Sequence, residues 1–128
     1  MSMNIREFQK RLLARKVTTF PHPASTYNPT SRALNVAEEA GELAREERLA
    51  IDGHPFREAK AKDAVGDTFI ALVGYCIARG WELDDIVTEV WADLDERWAK
   101  GQLVGEPTEP EIEYMHQRFG PQIPGTCK

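Results

Sequence analysis

The residues of this chain best suited to chemistry are acids set at helical spacing. In the stretch NVAEEAGELAREE, residues 35–47, five glutamates occupy ten positions: Glu38, Glu39, Glu42, Glu46 and Glu47. Farther along, KAKDAVGDTFIALVG carries Asp63 and Asp67, four apart. On a wheel of ~100° per residue, Glu39, Glu42 and Glu46 fall within roughly 60° of one another. Val36, Leu43, Leu49 and Ala50 share that half-circle, while Ala37, Ala40, Gly41, Ala44 and Arg48 lie opposite. The acids are thus mixed with the large apolar residues instead of forming a separate polar face. Asp63 and Asp67 likewise continue a stripe with Ile70 and Gly74.

Carboxylates three and four apart repel one another modestly in water. Partly buried, each is far costlier unless it is paired, protonated or bound to a cation. The arginines nearest in sequence, Arg45 and Arg48, point elsewhere on the wheel. A divalent ion is the economical counter-charge. Magnesium takes carboxylate oxygens and shares its shell with water and substrate phosphates. Two antiparallel helices with acids near their middles place four carboxylates around one cavity. Gly66 and Gly74 leave room there for a second backbone or a ligand. Glu38 and Glu47 lie at the edge of the apolar sector or outside it and read as solvated.

The elements that must position these acids are helices. Ile5, Phe8, Leu12 and Leu13 recur at helical spacing over residues 4–16. The arm VTTFPHPASTYNP follows, with three prolines. Asn28 before Pro29 reads as an N-cap followed by proline at the first helical position, opening a helix over 29–52. Pro55 is expected to open the next helix, over 55–79, with Gly80 as its stop. Its segment FIALVGYCIA, residues 69–78, is apolar all round, as a central bundle helix would be. A fourth helix over 83–100 carries the stripe Ile86, Val87, Val90, Trp91, Leu94 and Trp98. Beyond it, four prolines and several glycines mark an extended tail. There Thr108 and Glu111 have capping-box spacing, and Ile112, Met115 and Phe119 share a face of a short helix over 109–119.

The expected fold is therefore all-α: an antiparallel four-helix bundle in one domain, residues 1–100, with a Pro/Gly-rich tail over 101–128. The third and fourth helices carry more apolar surface than four such helices cover, which implies a homo-oligomer, a homodimer or homotetramer. Composition narrows the function. At 128 residues, 29% charged and a net charge of -5, the chain is not suited to coating nucleic acid. Its two cysteines, Cys76 and Cys127, lack metal-type spacing and suit a reducing compartment. The N-terminus is charged from the start, unlike a signal peptide, and no apolar run reaches a membrane span. A soluble cytoplasmic protein is expected.

Two segments, VAEEAGELAREE and KDAVGDTFIALVGYCIARGWELDDIV, together resemble the MazG-like all-α nucleoside triphosphate pyrophosphohydrolases. That family is related to dimeric dUTPases, dCTP pyrophosphatases and phosphoribosyl-ATP pyrophosphohydrolases. The resemblance covers residues 30–100. The family pattern is E-x-x-E on one helix and E-x-x-D on the next. Glu39-Ala-Gly-Glu42 matches the first half, and Gly66-Asp67 ends the second. The chain departs from the pattern at Ala64, where an acid belongs, and has Asp63 one residue earlier.

The resemblance implies hydrolysis of a nucleoside triphosphate to the monophosphate and pyrophosphate, with Mg2+, or Mn2+ in its place, held by Glu39, Glu42, Asp67 and Asp63. Glu38 or Asp63 would position or deprotonate the attacking water. Lys60, Lys62 and Arg97 are the cations for the triphosphate. Phe20, His22 and Tyr27, in the proline-bearing arm, are the expected partners of the base. Trp81, Trp91 and Trp98 read as core or interface residues. The alternative is a catalytically weakened relative that binds nucleotides or serves as a helical oligomerisation partner, the reading that Ala64 favours. A di-iron carboxylate bundle is disfavoured, because Glu113 and His116 supply only one E-x-x-H.

Overall fold

Asn28 starts a 23-residue helix as its chemistry dictates: its side-chain oxygen accepts from the backbone N–H groups of Thr30, at 2.9 Å, and Ser31, at 3.3 Å. Pro29 follows at a position where a missing N–H costs nothing. The computed structural model describes residues 2–19, 28–102 and 107–121. Among them are five helices: α1 (Ile5–Thr19), α2 (Pro29–Ile51), α3 (Glu58–Arg79), α4 (Leu83–Ala99) and α5 (Glu109–Phe119). No strand occurs among the described residues, so the chain is all-α. Among the described residues no helix is long and apolar enough to cross a membrane. The chain divides into two compact units, Met1–Val90 and Trp91–Lys128, with the division inside α4.

In the first unit α2 packs along α3, and α1 lies more lightly on α3. The turn between α2 and α3 is closed by Gly53 at φ 96°, with Gly53 N–H donating to the Ala50 carbonyl and His54 N–H to the Leu49 carbonyl. This pair of reversed bonds satisfies the last carbonyls of α2 and sends the chain out in an extended course. Pro55 consequently lies within the connection. The expected start at 55 moves to Glu58, with Arg57 as the N-cap residue. Gly80, at φ 74°, closes α3 in the same manner.

Polar clips hold α1 against the corner between α3 and α4. The Gln9 amide donates to the Trp81 carbonyl at 2.8 Å and accepts from Leu83 N–H at 2.9 Å. Arg6 reaches Glu82, Asp84 and Asp85 at 3.1 to 3.4 Å. Phe8 packs on Phe69, with ring centroids 5.1 Å apart.

Burial follows the wheel. Along α2, Val36, Leu43, Leu49 and Ala50 are half-buried, while Ala37, Ala40, Gly41, Ala44 and Arg48 are exposed. Most of 69–78 is buried or half-buried, although Ile70 and Leu72 are exposed. The buried apolar residues among those described are small: Ala61, Ala64, Ala71, Val73 and Cys76. Burial also pushes the Cys76 thiol up from its ordinary pKa. On α4 only Ile86 and Leu94 of the expected stripe are half-buried, and Val87, Val90, Trp91 and Trp98 are exposed.

In the second unit, α4 carries Asp93–Arg97 and Glu96–Lys100 ion pairs one turn apart. The capping box of α5 is present: Thr108 N–H donates to the Glu111 carboxylate at 2.8 Å, and the Thr108 side chain caps in return. Of its apolar face, Met115 is half-buried, and Ile112 and Phe119 are exposed.

Val73 has no exposed surface and is the largest fully buried side chain. Val73→Ala is expected to cost about 2 kcal/mol, from lost transfer energy plus the cavity left behind. Chemical denaturation measures this. A cost below about 0.5 kcal/mol would mean that α3 is not the centre of the packing.

Candidate metal centre

The α2–α3 pairing brings together three of the predicted acids. One carboxylate oxygen each from Glu39, Glu42 and Asp67 lies within 4.8 Å of the other two. Glu39 and Glu42 project one turn apart from α2, and Asp67 answers from α3. Two neighbours of Asp67 on its own face, Ala64 and Ala71, are buried. Their small side chains let the helices approach closely enough for the acids to meet. Glu39 and Asp67 are half-buried, and Glu42 is exposed, so the group forms a rim with one shielded end.

Glu39 occupies the shielded end. Its Oε2 is buried and has no hydrogen-bond partner. Desolvation raises its pKa above the ordinary glutamate value, and the charges of Glu42, Asp67 and Glu38 push it the same way. A contact with the Glu42 carboxylate adds to the shift, because it is favourable only when a proton lies between the two acids. Among the described residues, no lysine or arginine forms an ion pair with any of the three.

Glu46, farther along the same stripe, shows the other solution. It is buried, and Arg57 grips it with both branches: Nε to Oε1 at 2.8 Å and Nη2 to Oε2 at 2.6 Å. That hydrogen bonding holds the Glu46 carboxyl below the ordinary value, against the pull of burial. Arg57 was not among the residues singled out from the sequence. It lies 11 positions from Glu46, beyond the turn, and only the folding back of α3 brings it near.

None of the other predicted site residues among those described belongs to the three-acid group, and three lie outside the described residues. Asp63, one turn before Asp67, is exposed and does not join the group, and position 64 is a buried alanine. Glu38 is exposed beside Glu39 and adds to its electrostatic load. Lys60 is exposed and acts on Glu46, as does Arg45. Lys62 pairs with Glu58 at 3.4 Å, and Arg97 with Asp93 at 3.5 Å, each within its own helix. Phe20, His22 and Tyr27 lie outside the described residues. A Cβ at Gly66 would meet nothing within 4 Å, so the chain itself makes no use of the space there.

The donor set suits a hard divalent cation. It consists of carboxylate oxygens only, and Glu39, one of the three, has an oxygen that is buried without a hydrogen-bond partner among the described residues. No family model matches the chain, and neither a curated protein nor a solved structure matches it.

The two glutamates work in opposite directions on stability. Glu39 has a raised pKa in the fold, so its ionisation destabilises the protein as pH climbs from the unfolded glutamate range through the raised value. Glu46 has a lowered pKa, so it contributes stability above the unfolded value and loses it as pH falls through the lowered one. A divalent ion competes with the proton on Glu39. The rise in Tm given by Mn2+ or Mg2+ is therefore expected to be larger at about pH 7.5 than at about pH 5. Calorimetry at the two pH values measures it, and equal shifts would argue against binding at these acids.

Proposed function

We propose that this chain is a magnesium-dependent nucleoside triphosphate pyrophosphohydrolase of the MazG-like kind. It would cleave ribo- or deoxyribonucleoside triphosphates to the monophosphate and pyrophosphate, as a cytoplasmic enzyme of nucleotide-pool control. The observation that carries this reading is the buried, unpartnered Glu39 oxygen beside Glu42 and Asp67. Like charges converging without a cation among the described residues are tolerable when a ligand supplies one.

A bound divalent ion supplies charge neutralisation at the phosphates and a polarised water, the two needs of phosphoanhydride hydrolysis. Glu39, Glu42 and Asp67 are the residues to hold it. Glu38, exposed beside Glu39, and Asp63, exposed one turn before Asp67, are the residues proposed to orient a water and accept its proton. Lys60, Lys62 and Arg97 remain the proposed phosphate contacts, and Phe20, His22 and Tyr27 the proposed contacts of the base.

The same reading completes the fold. Val65 and Leu72 on α3 and Val87 and Val90 on α4 are exposed in the single chain. A homodimer or homotetramer would bury them and close an antiparallel four-helix arrangement around the acids.

Ala64 supports a second reading. With that position buried and apolar and Asp63 outside the group, three carboxylates face the ion instead of four. A nucleotide-binding protein with weak or absent turnover, or a helical oligomerisation partner, fits this set.

Pyrophosphate release from a panel of nucleoside triphosphates with Mg2+ separates the readings. The enzyme reading expects turnover that falls by about 100-fold in Glu42→Gln. Binding without turnover, seen by calorimetry, selects the second reading. The absence of both turnover and divalent-ion binding would defeat the pyrophosphohydrolase proposal. Ala64→Glu places a fourth carboxylate in the α2–α3 contact. It is expected to lower Tm in chelator and to recover more of it with Mn2+ than the parent chain gains.

A further inference from the structure

We infer that Arg57 and Glu46 are positioning residues for the three-carboxylate centre: their two-pronged pair sets the lengthwise register of α2 against α3. This rests on the reading of Glu39, Glu42 and Asp67 as a metal centre.

On the side of α3 that carries Asp67, the neighbours one turn away, Ala64 and Ala71, are buried and small. Alanine faces are smooth. They permit close approach, but they offer few knobs to resist sliding of one helix along the other. The connection adds no buried side-chain packing, because every residue from Ile51 to Lys60 is exposed.

The pair supplies direction where packing does not. Glu46 is on the stripe of Glu39 and Glu42, one turn beyond Glu42, and is 7% exposed. Arg57 precedes α3 and makes no side-chain cap of that helix. Its guanidinium instead spans to α2 and meets both Glu46 oxygens, at 2.8 and 2.6 Å. A planar fork on a planar carboxylate is the most geometrically demanding ion pair a protein makes. Sliding α2 by one residue moves it about 1.5 Å, enough to break at least one prong.

The same displacement matters at the acids. Their oxygens lie within 4.8 Å of each other, and magnesium holds oxygens at about 2.1 Å in a nearly rigid shell. A slip of about 1.5 Å would carry Asp67 out of a shell shared with Glu39 and Glu42. The pair thus acts through helix register at two turns' distance, touching neither ion nor substrate.

The test uses the full chain and Mn2+ alone as the probe. Arg57→Lys keeps the charge and removes the fork. It is expected to weaken Mn2+ binding by about 10-fold, read by electron paramagnetic resonance. In the metal-free protein it should displace the backbone amide signals of Glu39 to Glu42 and of Gly66 and Asp67. Exchanging the partners, Glu46→Arg with Arg57→Glu, should recover most of the affinity. Val73→Ala lowers Tm without touching the pair and should leave the affinity of the folded protein within about twofold. Unchanged Mn2+ affinity in Arg57→Lys, or amide displacements confined to residues 44–60, overturns the inference. If the parent chain takes up no Mn2+, the metal reading falls. The metal-free amide signals then still decide whether the pair sets the register.

Discussion

The structure depends on how negative charge is tolerated between two helices. α2 and α3 press together a surface that includes four acids, and they treat these acids in two ways. Glu46 is fully compensated: a guanidinium matches both of its oxygens, and its pKa drops. Glu39 is left without compensation: one oxygen is buried with no partner, the neighbours are acids, and its pKa rises. A buried group without its counterpart normally destabilises a fold. Both arrangements occur on one stripe of one helix. The shortfall at Glu39 is therefore local to the group with Glu42 and Asp67, three acids that could hold a metal ion.

The packing around this contact is built from small residues. Ala61, Ala64, Ala71 and Val73 allow close helix approach but contribute limited apolar burial. Larger residues, among them Val65, Leu72, Val87, Val90 and Trp91, remain exposed in the single chain. A fold with this distribution draws on specific polar contacts for its geometry. The Gln9 clip on Trp81 and Leu83, the Arg6 contacts with three acids and the Arg57 fork are the directional elements. A second copy covering the exposed faces would supply the apolar burial that one chain lacks, which is why the proposed enzyme is also a proposed oligomer.

Much of the site was legible because an α-helix has a fixed period. The wheel placed Glu39 and Glu42 beside Val36 and Leu43 and put the alanine-rich face opposite, as the exposure of α2 shows. The short connection between α2 and α3 lets α3 fold back along α2, which brings one oxygen of Asp67 within 4.8 Å of oxygens of Glu39 and Glu42. Arg57 lies off α2, at the N-cap of the next helix, where a wheel of α2 does not reach. Its signal was a long, two-pronged side chain just past the turn, within reach of a buried acid one turn farther back. Pro55 was misread as a helix start, since the reversed hydrogen bonds at Gly53 carry the chain past it before α3 can begin.

Period, caps and stops are local properties of neighbouring residues. The chain's order of amino acids therefore settles the all-α class, the cap at Asn28, the capping box at Thr108 and the stripe on which the acids lie. Burial and charge compensation are sums over residues far apart in the chain. Whether Glu39 would lie shielded and unpaired, whether Glu46 would find an arginine, and whether Asp63 or Asp67 would face α2 were decided by how α3 folds back along α2. Desolvation and Coulomb energy depend on distances through space, and the spacing of letters does not contain them.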